Sequence, residues 1–236
     1  MEEEVLFEGI VRDSGYSGMR VIWDIDIKVH RGETVLILGA NGAGKTTYLK
    51  SIMGIIKIND GKVLFKGNDI TKVPLNLRER LGIIYISEDT FFNSLTVKEN
   101  LMMGALFRRQ DEVKKYTRDV LDTFPELKDK LNSKCSSLSG GQRKMLIMAR
   151  AIMGESQMLV IDEPSSGLSP LLIDRIFDVI SLLKERGIAV LLSEQNVEFS
   201  SLSDTIYVID NGRVVFKGTK QQALEDNSIH RAYFSV

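Results

Sequence analysis

The sequence has a single cysteine, Cys135, so no disulfide can form within the chain. A lone cysteine fits a reducing compartment, and beside a loop we interpret it as a spacer rather than a nucleophile. Long apolar runs are also lacking, since none approaches the roughly 20 residues that a helix needs to cross a bilayer. The first residues, MEEEVLF, are acidic where a signal peptide would be basic. We therefore expect a cytoplasmic protein that reaches a membrane only through a partner.

An excess of either charge is lacking too. The 31 lysines and arginines nearly balance the 32 aspartates and glutamates. No overall positive field would therefore collect nucleic acid or anionic lipid, and we expect no nucleic-acid partner. The 43% hydrophobic and 27% charged residues are ordinary for a globular protein, and 236 residues can bury a substantial core.

Strand-like and helix-like segments alternate along the chain. In residues 21–30, Ile25, Ile27 and Val29 alternate with polar residues, so this segment and residues 5–13 predict an antiparallel sheet. Trp23 shares the strand pattern, and we expect it in the core. The alternation predicts a parallel sheet in an α/β core. The predicted core strands are 34–39, 158–164 and 188–195, and the predicted helices are 45–54 and 171–187, the latter capped by Gly187.

Three further segments complete this prediction. Residues 61–70 predict another strand, and residues 205–218 predict a hairpin that turns at Asn211-Gly212 and precedes a terminal helix. Between about 92 and 156 the apolar residues recur at helical spacing, which predicts a helical insert. Its clearest run is Val113, Tyr116, Val120, Leu121 and Phe124.

Residues 39–46, GANGAGKT, match the pattern G-x-x-x-x-G-K-[ST] between a predicted strand and a predicted helix. The glycines let the backbone wrap a triphosphate with its N–H groups inward, and the helix N-terminus adds partial positive charge. Lys45 would reach the β- and γ-phosphates of ATP, and the Thr46 hydroxyl would hold Mg²⁺. The alternative is a glycine-rich turn that contains Lys-Thr by chance. The predicted nucleotide contacts are Gly39, Ala40, Asn41, Gly42, Ala43, Gly44, Lys45, Thr46 and Thr47.

Two adjacent acidic residues end the predicted strand at 158–161. Asp162 emerges where a carboxylate would support the Mg²⁺ site, and Glu163 is placed to polarise a water for attack on the γ-phosphate. Alone, the pair could be an ordinary acidic strand end. Beside residues 39–46, it predicts the catalytic carboxylate.

A second phosphate-binding pattern lies at residues 138–142, LSGGQ, at the start of a predicted helix. With residues 39–46 and LVIDEP at 159–164, it resembles the ATP-binding cassette (ABC) ATPases over essentially the whole chain. In that family two cassettes pair head to tail, so the resemblance implies that LSGGQ contacts the ATP of a second ABC subunit. It implies contacts from Leu138, Ser139, Gly140, Gly141 and Gln142, and an aspartate replacing Gly141 would then meet the γ-phosphate. LSGGQ should also cap the helix that carries residues 143–153.

The resemblance also implies a domain organisation and an adenine contact. Residues 1–236 would form one α/β P-loop ABC ATPase domain with an antiparallel β subdomain and an α-helical subdomain. The nucleotide-binding core would comprise residues 1–87 and 157–236, and the Q-loop and helical subdomain residues 88–156. Tyr16 matches the aromatic residue that stacks on adenine, although a loop tyrosine can also serve as packing.

Three residues depart from the general family pattern. Glu88 stands in place of the Q-loop glutamine, Ser169 in place of the D-loop aspartate and Gln195 in place of the switch histidine. A degenerate, inactive site is one interpretation. However, Glu88 can still ligate Mg²⁺, and the Gln195 amide can still donate to a γ-phosphate. We therefore expect an active ATPase that uses Lys45, Glu88, Glu163 and Gln195, with Thr46, Glu88 and Asp162 around Mg²⁺.

The motifs GANGAGKTT, LTVKENLMMGA, GLSP and EQN together resemble the shorter ATPase subunit of branched-chain amino-acid importers. This implies permease subunits on the inner face of the cell membrane and, indirectly, a substrate-binding protein. The Q-loop region, about 86–95, should contact the permease, where Phe91 and Phe92 either fill a groove or lie buried in the core. The segments SGGQRKM and YISED are less usual in that subgroup.

Four alternatives stay open. Amide and urea importers share much of the pattern, and exporter cassettes are similar. A soluble ABC ATPase acting on DNA or ribosomes usually has two cassettes or a long coiled-coil insert, and this sequence has neither. A nonhydrolytic switch would be indicated by loss of Glu163, which is present.

Overall fold

The computed structural model describes residues 4–16, 18–87, 92–106, 109–154 and 156–234. The strands are β1 (Val5–Tyr16), β2 (Met19–His30), β3 (Thr34–Leu38), β4 (Ile58–Phe65), β5 (Asn68–Asp69), β6 (Ile83–Ile86), β7 (Met158–Asp162), β8 (Ala189–Glu194), β9 (Thr205–Asp210) and β10 (Arg213–Gly218). The α-helices are α1 (Lys45–Ile52), α2 (Leu75–Arg80), α3 (Val97–Gly104), α4 (Gln110–Thr123), α5 (Gly140–Met153), α6 (Pro170–Glu185), α7 (Lys220–Glu225) and α8 (Asn227–Ile229). In these ranges no helix is both long and apolar enough to cross a bilayer.

One sheet is antiparallel, in the strand order β2-β1-β4-β5, as predicted. Ile25, Ile27 and Val29 are buried on its inner face. The prediction that Trp23 lies in the core is wrong, since its side chain is 37% exposed. Asp24 has a left-handed backbone, with φ 62°, which breaks the period-two alternation and turns Ile22 inward in place of Trp23.

The second sheet has six strands in the order β10-β9-β3-β8-β7-β6, and all its pairs are parallel except β9 with the edge strand β10. This confirms the predicted parallel α/β core. Leu38 pairs with Glu194 and Asp162 with Ser193, so the carboxyl ends of β3, β7 and β8 lie at one edge. That edge is where ligands bind in open α/β sheets.

The parallel sheet is buried on both faces. Val35 and Ile37 of β3 belong to a core cluster shared with the antiparallel sheet and α1, whereas Leu36 and Leu38 belong to a cluster with α5 and α6. Helix α1 therefore lies between the two sheets, where its Tyr48 hydroxyl donates to the carbonyl of Gly9 at 2.8 Å. This packing fixes the start of α1 at the carboxyl edge of β3.

The part of the chain that the structure describes between β6 and β7 is mainly helical, as predicted, and contains α3, α4 and α5. Val120 and Phe124, from the predicted helical repeat, are buried. Cys135 is buried as well, and burial raises the pKa of its thiol. Its Sγ accepts a hydrogen bond from the Asn100 amide at 3.0 Å, consistent with a structural residue rather than a nucleophile.

The predicted turns are also present. The hairpin β9–β10 turns at Asn211 and Gly212, with φ 47° and 73°, as a tight two-residue turn requires. Gly187 follows α6 with φ 70°, which is the left-handed conformation of a helix C-terminal cap.

A buried arginine joins the end of α1 to the segment before β6. Arg78 is fully buried, and its guanidinium donates to the carbonyl oxygens of Val73 at 2.7 Å, Ile70 at 2.7 Å, Thr71 at 3.0 Å and Ile52. Burial lowers the arginine pKa to about 10. These carbonyls satisfy a charge that would otherwise be costly to bury.

Candidate functional site

The glycine-rich segment 39–44 connects the end of β3 to the first residue of α1. Gly44 has φ 106°, a conformation that glycine adopts without strain, and it directs the following residues into the helix. Lys45 is only 3% exposed, and its ammonium donates to the carbonyls of Gly39 at 2.9 Å and Ala40 at 3.1 Å. The lysine thus folds back over the loop that precedes it.

Glu163, the residue after β7, forms an ion pair with this lysine. Its Oε1 lies 3.1 Å from Lys45 Nζ, and the glutamate is the residue directly after Asp162 at the strand end. Glu163 has φ 46°, which is uncommon for a residue with a side chain. Its amide donates to the carbonyl of Ser193 at 3.1 Å, which holds this conformation against β8.

Asp162 lies at the centre of a hydrogen-bonded group. Its Oδ1 accepts from Thr46 Oγ1 at 3.0 Å and Ser193 Oγ at 2.6 Å, and its Oδ2 accepts from the Tyr85 hydroxyl at 3.1 Å. Burial, followed by the charge of Asp162, raises the pKa of Tyr85. Sequence analysis identified Thr46 and Asp162 but missed Ser193 and Tyr85. Their positions at the ends of strands next to β7 were the available signal.

Gln195 completes this edge from the end of β8. Its Nε2 donates to Asn41 Oδ1 at 2.7 Å and lies 3.5 Å from Glu163 Oε1. Gln195 therefore bridges Asn41 of the glycine-rich segment and Glu163 after β7. Neither histidine joins them: His30 ends β2, and His230 lies in the C-terminal segment.

Residues 138–142 begin α5. Ser139 Oγ accepts from the Gln142 amide at 3.3 Å, while Gln142 Oε1 accepts from the Ser139 amide at 3.0 Å, so the predicted helix cap is confirmed. Space is open at Gly140. At Gly141 a Cβ would lie 2.3 Å from Leu172 Cδ1. An aspartate at Gly141 would therefore first have to displace the end of the Leu172 side chain on α6, whereas one at Gly140 would not.

The other predicted contacts are distributed around this edge. Leu138 and Ala43 are buried, Thr47 is 8% exposed, and Gly42 has open space where a side chain would stand. Tyr16 ends β1 and is 47% exposed, as a stacking residue would need to be. Glu88 and Phe91 lie outside the described residues.

Phe92 is 46% exposed, so its alternative placement in the buried core is wrong. It lines a groove of about 330 Å³ between the segment 76–84 and the helices α3 and α5. Leu81 and Met103 also line this groove and are 41% and 38% exposed. Arg150 borders it, with its guanidinium 5.6 Å from the centre of the Phe92 ring.

Comparison with known proteins agrees with this geometry. Residues 22–166, more than half of the chain, match a protein-family model described as ABC transporter. The probable branched-chain amino acid transport ATP-binding protein LivF of Archaeoglobus fulgidus is 37% identical, over 95% of this chain and 96% of its own. The high-affinity branched-chain amino acid transport ATP-binding protein BraG of Pseudomonas aeruginosa is 36% identical, over 92% and 94%.

Two further similarities bear on the function. The lipopolysaccharide export system ATP-binding protein LptB of Haemophilus influenzae is 32% identical, over 92% of both chains. A crystal structure described as the ADP conformation of an ATP-binding cassette of an ABC transporter has a TM-score of 0.82 and 26% identity, and the match covers 98% of this chain and 99% of that one.

Proposed function

Because this chain belongs to the ABC transporter family of ATP-hydrolysing subunits, we propose that it powers a membrane importer of branched-chain or other hydrophobic amino acids. The observation that supports ATP hydrolysis is the proximity of four side chains at one sheet edge, those of Lys45, Thr46, Asp162 and Glu163. The proposed substrate rests on the two relatives named for branched-chain amino acid transport.

The proposed roles follow from the contacts at the sheet edge. Lys45 and the N–H groups of residues 39–47 bind the triphosphate, since they surround the start of α1. Tyr16 stacks on adenine. Glu163 accepts a proton from the attacking water, and Gln195 donates to the γ-phosphate from a position 3.5 Å from the glutamate. Glu88 acts in place of the Q-loop glutamine.

The residues present fit a magnesium ion. Thr46 Oγ1 and Asp162 Oδ1 are 3.0 Å apart, close to the spacing of neighbouring ligands in an octahedral shell with bonds of about 2.1 Å. Both donors are oxygen, which Mg²⁺ prefers. We propose that Thr46, Asp162 and Glu88 hold it, and that bound Mg²⁺ would neutralise phosphate charge. Ser193 and Tyr85 orient the Asp162 carboxylate.

We further propose that the working unit is a pair of cassettes. Ser139 and Gly140 lie at an accessible helix N-terminus, which suits a phosphate. Residues 138–142 of one cassette would contact the ATP held by residues 39–47 of the other. ATP then closes the pair, and hydrolysis reopens it.

The division into a core of residues 1–87 and 157–236 and a Q-loop and helical subdomain of 88–156 is also a proposal. The groove at Phe92 lies where these two parts meet, between the segment before β6 and the helices α3 and α5. Its exposed apolar side chains support a permease segment as the occupant. This would place the chain on the inner face of the membrane, coupled indirectly to a substrate-binding protein.

A lipopolysaccharide-type exporter is the second candidate function, since the LptB relative is 32% identical over 92% of this chain. Amide or urea import is the alternative within importers. These candidates differ in the transported molecule and, for the exporter, in the direction of transport, but not in the chemistry of the ATP site.

The test is coexpression of the chain with permease subunits encoded beside its gene, followed by copurification and by uptake of radiolabelled leucine or urea in vesicles. Phe92→Glu should abolish copurification while leaving ATP binding intact. Val215→Glu is the matched control, because Val215 is 53% exposed on β10, outside the groove. Leucine uptake supports the proposal, whereas urea uptake or outward transport contradicts it.

A further inference from the structure

We propose that Lys144 is a positioning residue that links the start of α5 to the catalytic glutamate. The inference rests on the role proposed for Glu163 and goes beyond it. Lys144 lies about one and a half turns after Ser139 on the same helix, so its backbone moves with residues 138–142. Its side chain leaves the helix and reaches the segment that follows β7.

Two contacts of Lys144 among the described residues are with backbone carbonyls of the turn after β7. Its ammonium donates to the carbonyl of Glu163 at 3.4 Å and to the carbonyl of Ser166. The same two residues are the ends of a tight turn, in which the Ser166 amide donates to the Glu163 carbonyl at 3.3 Å. One ammonium therefore binds both ends of the turn that presents the glutamate.

The same turn is held from its other side by β8. The Glu163 amide donates to Ser193 Oγ at 3.2 Å, and the Ser165 amide donates to Glu194 Oε1 at 2.7 Å. Glu194 is only 2% exposed, so this carboxylate is a fixed part of the core. The turn is thus clamped between a rigid strand end and a side chain of α5.

Glu163 needs such a clamp. Its φ of 46° is a left-handed conformation, which non-glycine residues keep only where their surroundings impose it. Without Lys144 the turn can relax toward ordinary backbone angles, and the carboxylate would leave its position beside Lys45. The effect would fall on the orientation of the base, not on the phosphate-binding loop.

Lys144 also joins two sites that the proposed cassette pair keeps apart. Residues 138–142 would contact the partner's ATP, while Glu163 acts on the ATP of its own chain. Lys144, Ile147, Met148, Glu163 and Pro164 line a cavity of only about 20 Å³, so α5 and the turn lie close together. A shift of α5 on closure would therefore be transmitted to Glu163 through the lysine.

The test compares Lys144→Met, which keeps the aliphatic stem and removes the donors, with Lys144→Arg, which restores charged donors. The matched control is Lys115→Met, since Lys115 is exposed on α4 in the same helical insert. Steady-state ATPase kinetics, binding of a fluorescent ATP analogue and thermal unfolding are measured for each. Glu163→Gln is assayed alongside.

We expect Lys144→Met to lower kcat by about tenfold or more, with KM for ATP and analogue affinity unchanged within about twofold. Lys144→Arg should recover most of kcat, and Lys115→Met should match the parent. Parental kcat in Lys144→Met would overturn the inference. So would a lowered unfolding temperature with equal losses in Lys144→Met and Lys144→Arg, which would indicate a structural role. An active Glu163→Gln would instead refute the role of the glutamate itself.

Discussion

Lys45 Nζ lies 3.1 Å from Glu163 Oε1, so the cation proposed to bind phosphate and the carboxylate proposed to activate water form an ion pair. Lys45 is almost fully buried, and a buried ammonium needs such compensation. A nucleotide phosphate that reaches Lys45 would replace this partner. Phosphate binding and release of the catalytic carboxylate would then occur together.

Replacing Glu163 tests the catalytic base. Glu163→Gln keeps the size of the side chain but cannot accept the proton, so kcat should fall by roughly 10²-fold or more. ATP should still bind, and at least as tightly as in the parent, because the variant lacks the Glu163 carboxylate that competes with phosphate for Lys45. ATPase assays and size-exclusion chromatography with ATP measure both effects, and an ATP-dependent dimer should accumulate. Near-normal turnover would remove Glu163 from this role.

Replacing Ser193 tests the support of Asp162. Ser193→Ala removes the 2.6 Å hydrogen bond to Asp162, so the carboxylate should be less well oriented toward Mg²⁺. We expect the Mg²⁺ concentration for half-maximal ATPase activity to rise by roughly tenfold. Ser201→Ala is the control, since that hydroxyl bonds to the Glu198 carbonyl in another segment. An unchanged Mg²⁺ dependence in Ser193→Ala would contradict the proposed metal site.

Replacing Gln195 tests how the ATPase activity depends on pH. An amide does not titrate, so this position should add no step between pH 6 and 8, whereas Gln195→His should introduce one. Gln195→Ala should reduce kcat because it removes the donor beside Asn41 and Glu163. The check is kcat measured at several pH values for the three proteins. If both variants follow the parent profile and rate, Gln195 has no role as a switch.

Mixing two inactive variants tests the composite site. Lys45→Ala removes the phosphate cation, and Gly140→Asp puts a negative charge at an open helix N-terminus without entering α6. Each homodimer should have two ruined sites, but the mixed dimer should have one intact site. Mixing should therefore restore measurable ATPase activity, provided that one intact site suffices.

The control for this mixture is Gly140→Ala in place of Gly140→Asp, which adds bulk without charge. If the parent pairs only with a different cassette, its own activity will be low and the variants must be mixed with that partner. An active parent homodimer, demonstrated mixed dimers and no recovery would show that residues 138–142 do not serve the neighbour's ATP.

Replacing the buried Arg78 should strongly lower the stability of the fold. Arg78→Met keeps the aliphatic stem but leaves the carbonyls of Ile52, Ile70, Thr71 and Val73 without this donor in the core. We expect the free energy of unfolding to fall by about 3 kcal/mol, measured by urea denaturation. Arg80→Met on the same helix is the control, because Arg80 is exposed. Equal stabilities of the two variants would contradict the role of the buried guanidinium.

Local patterns made the main features of the site predictable. The segment 39–46 has a strand before it and a helix after it, and the acidic pair 162–163 ends a buried strand. Because the carboxyl ends of parallel strands meet at one edge, these residues were expected to converge. The cap at Ser139 and the turn at Asn211-Gly212 were predictable for the same reason, since they depend on neighbouring residues alone.

The sequence by itself therefore determined the α/β class, the phosphate-binding loop, the acidic pair and the cap of α5, because each is specified within a few consecutive residues. The tertiary structure decided which distant side chains meet them. It turned Trp23 outward through one left-handed residue, directed Gly141 at Leu172, and brought Ser193, Tyr85 and Lys144 to the residues at the end of β7. Those contacts depend on strand order and helix packing, which no short segment encodes.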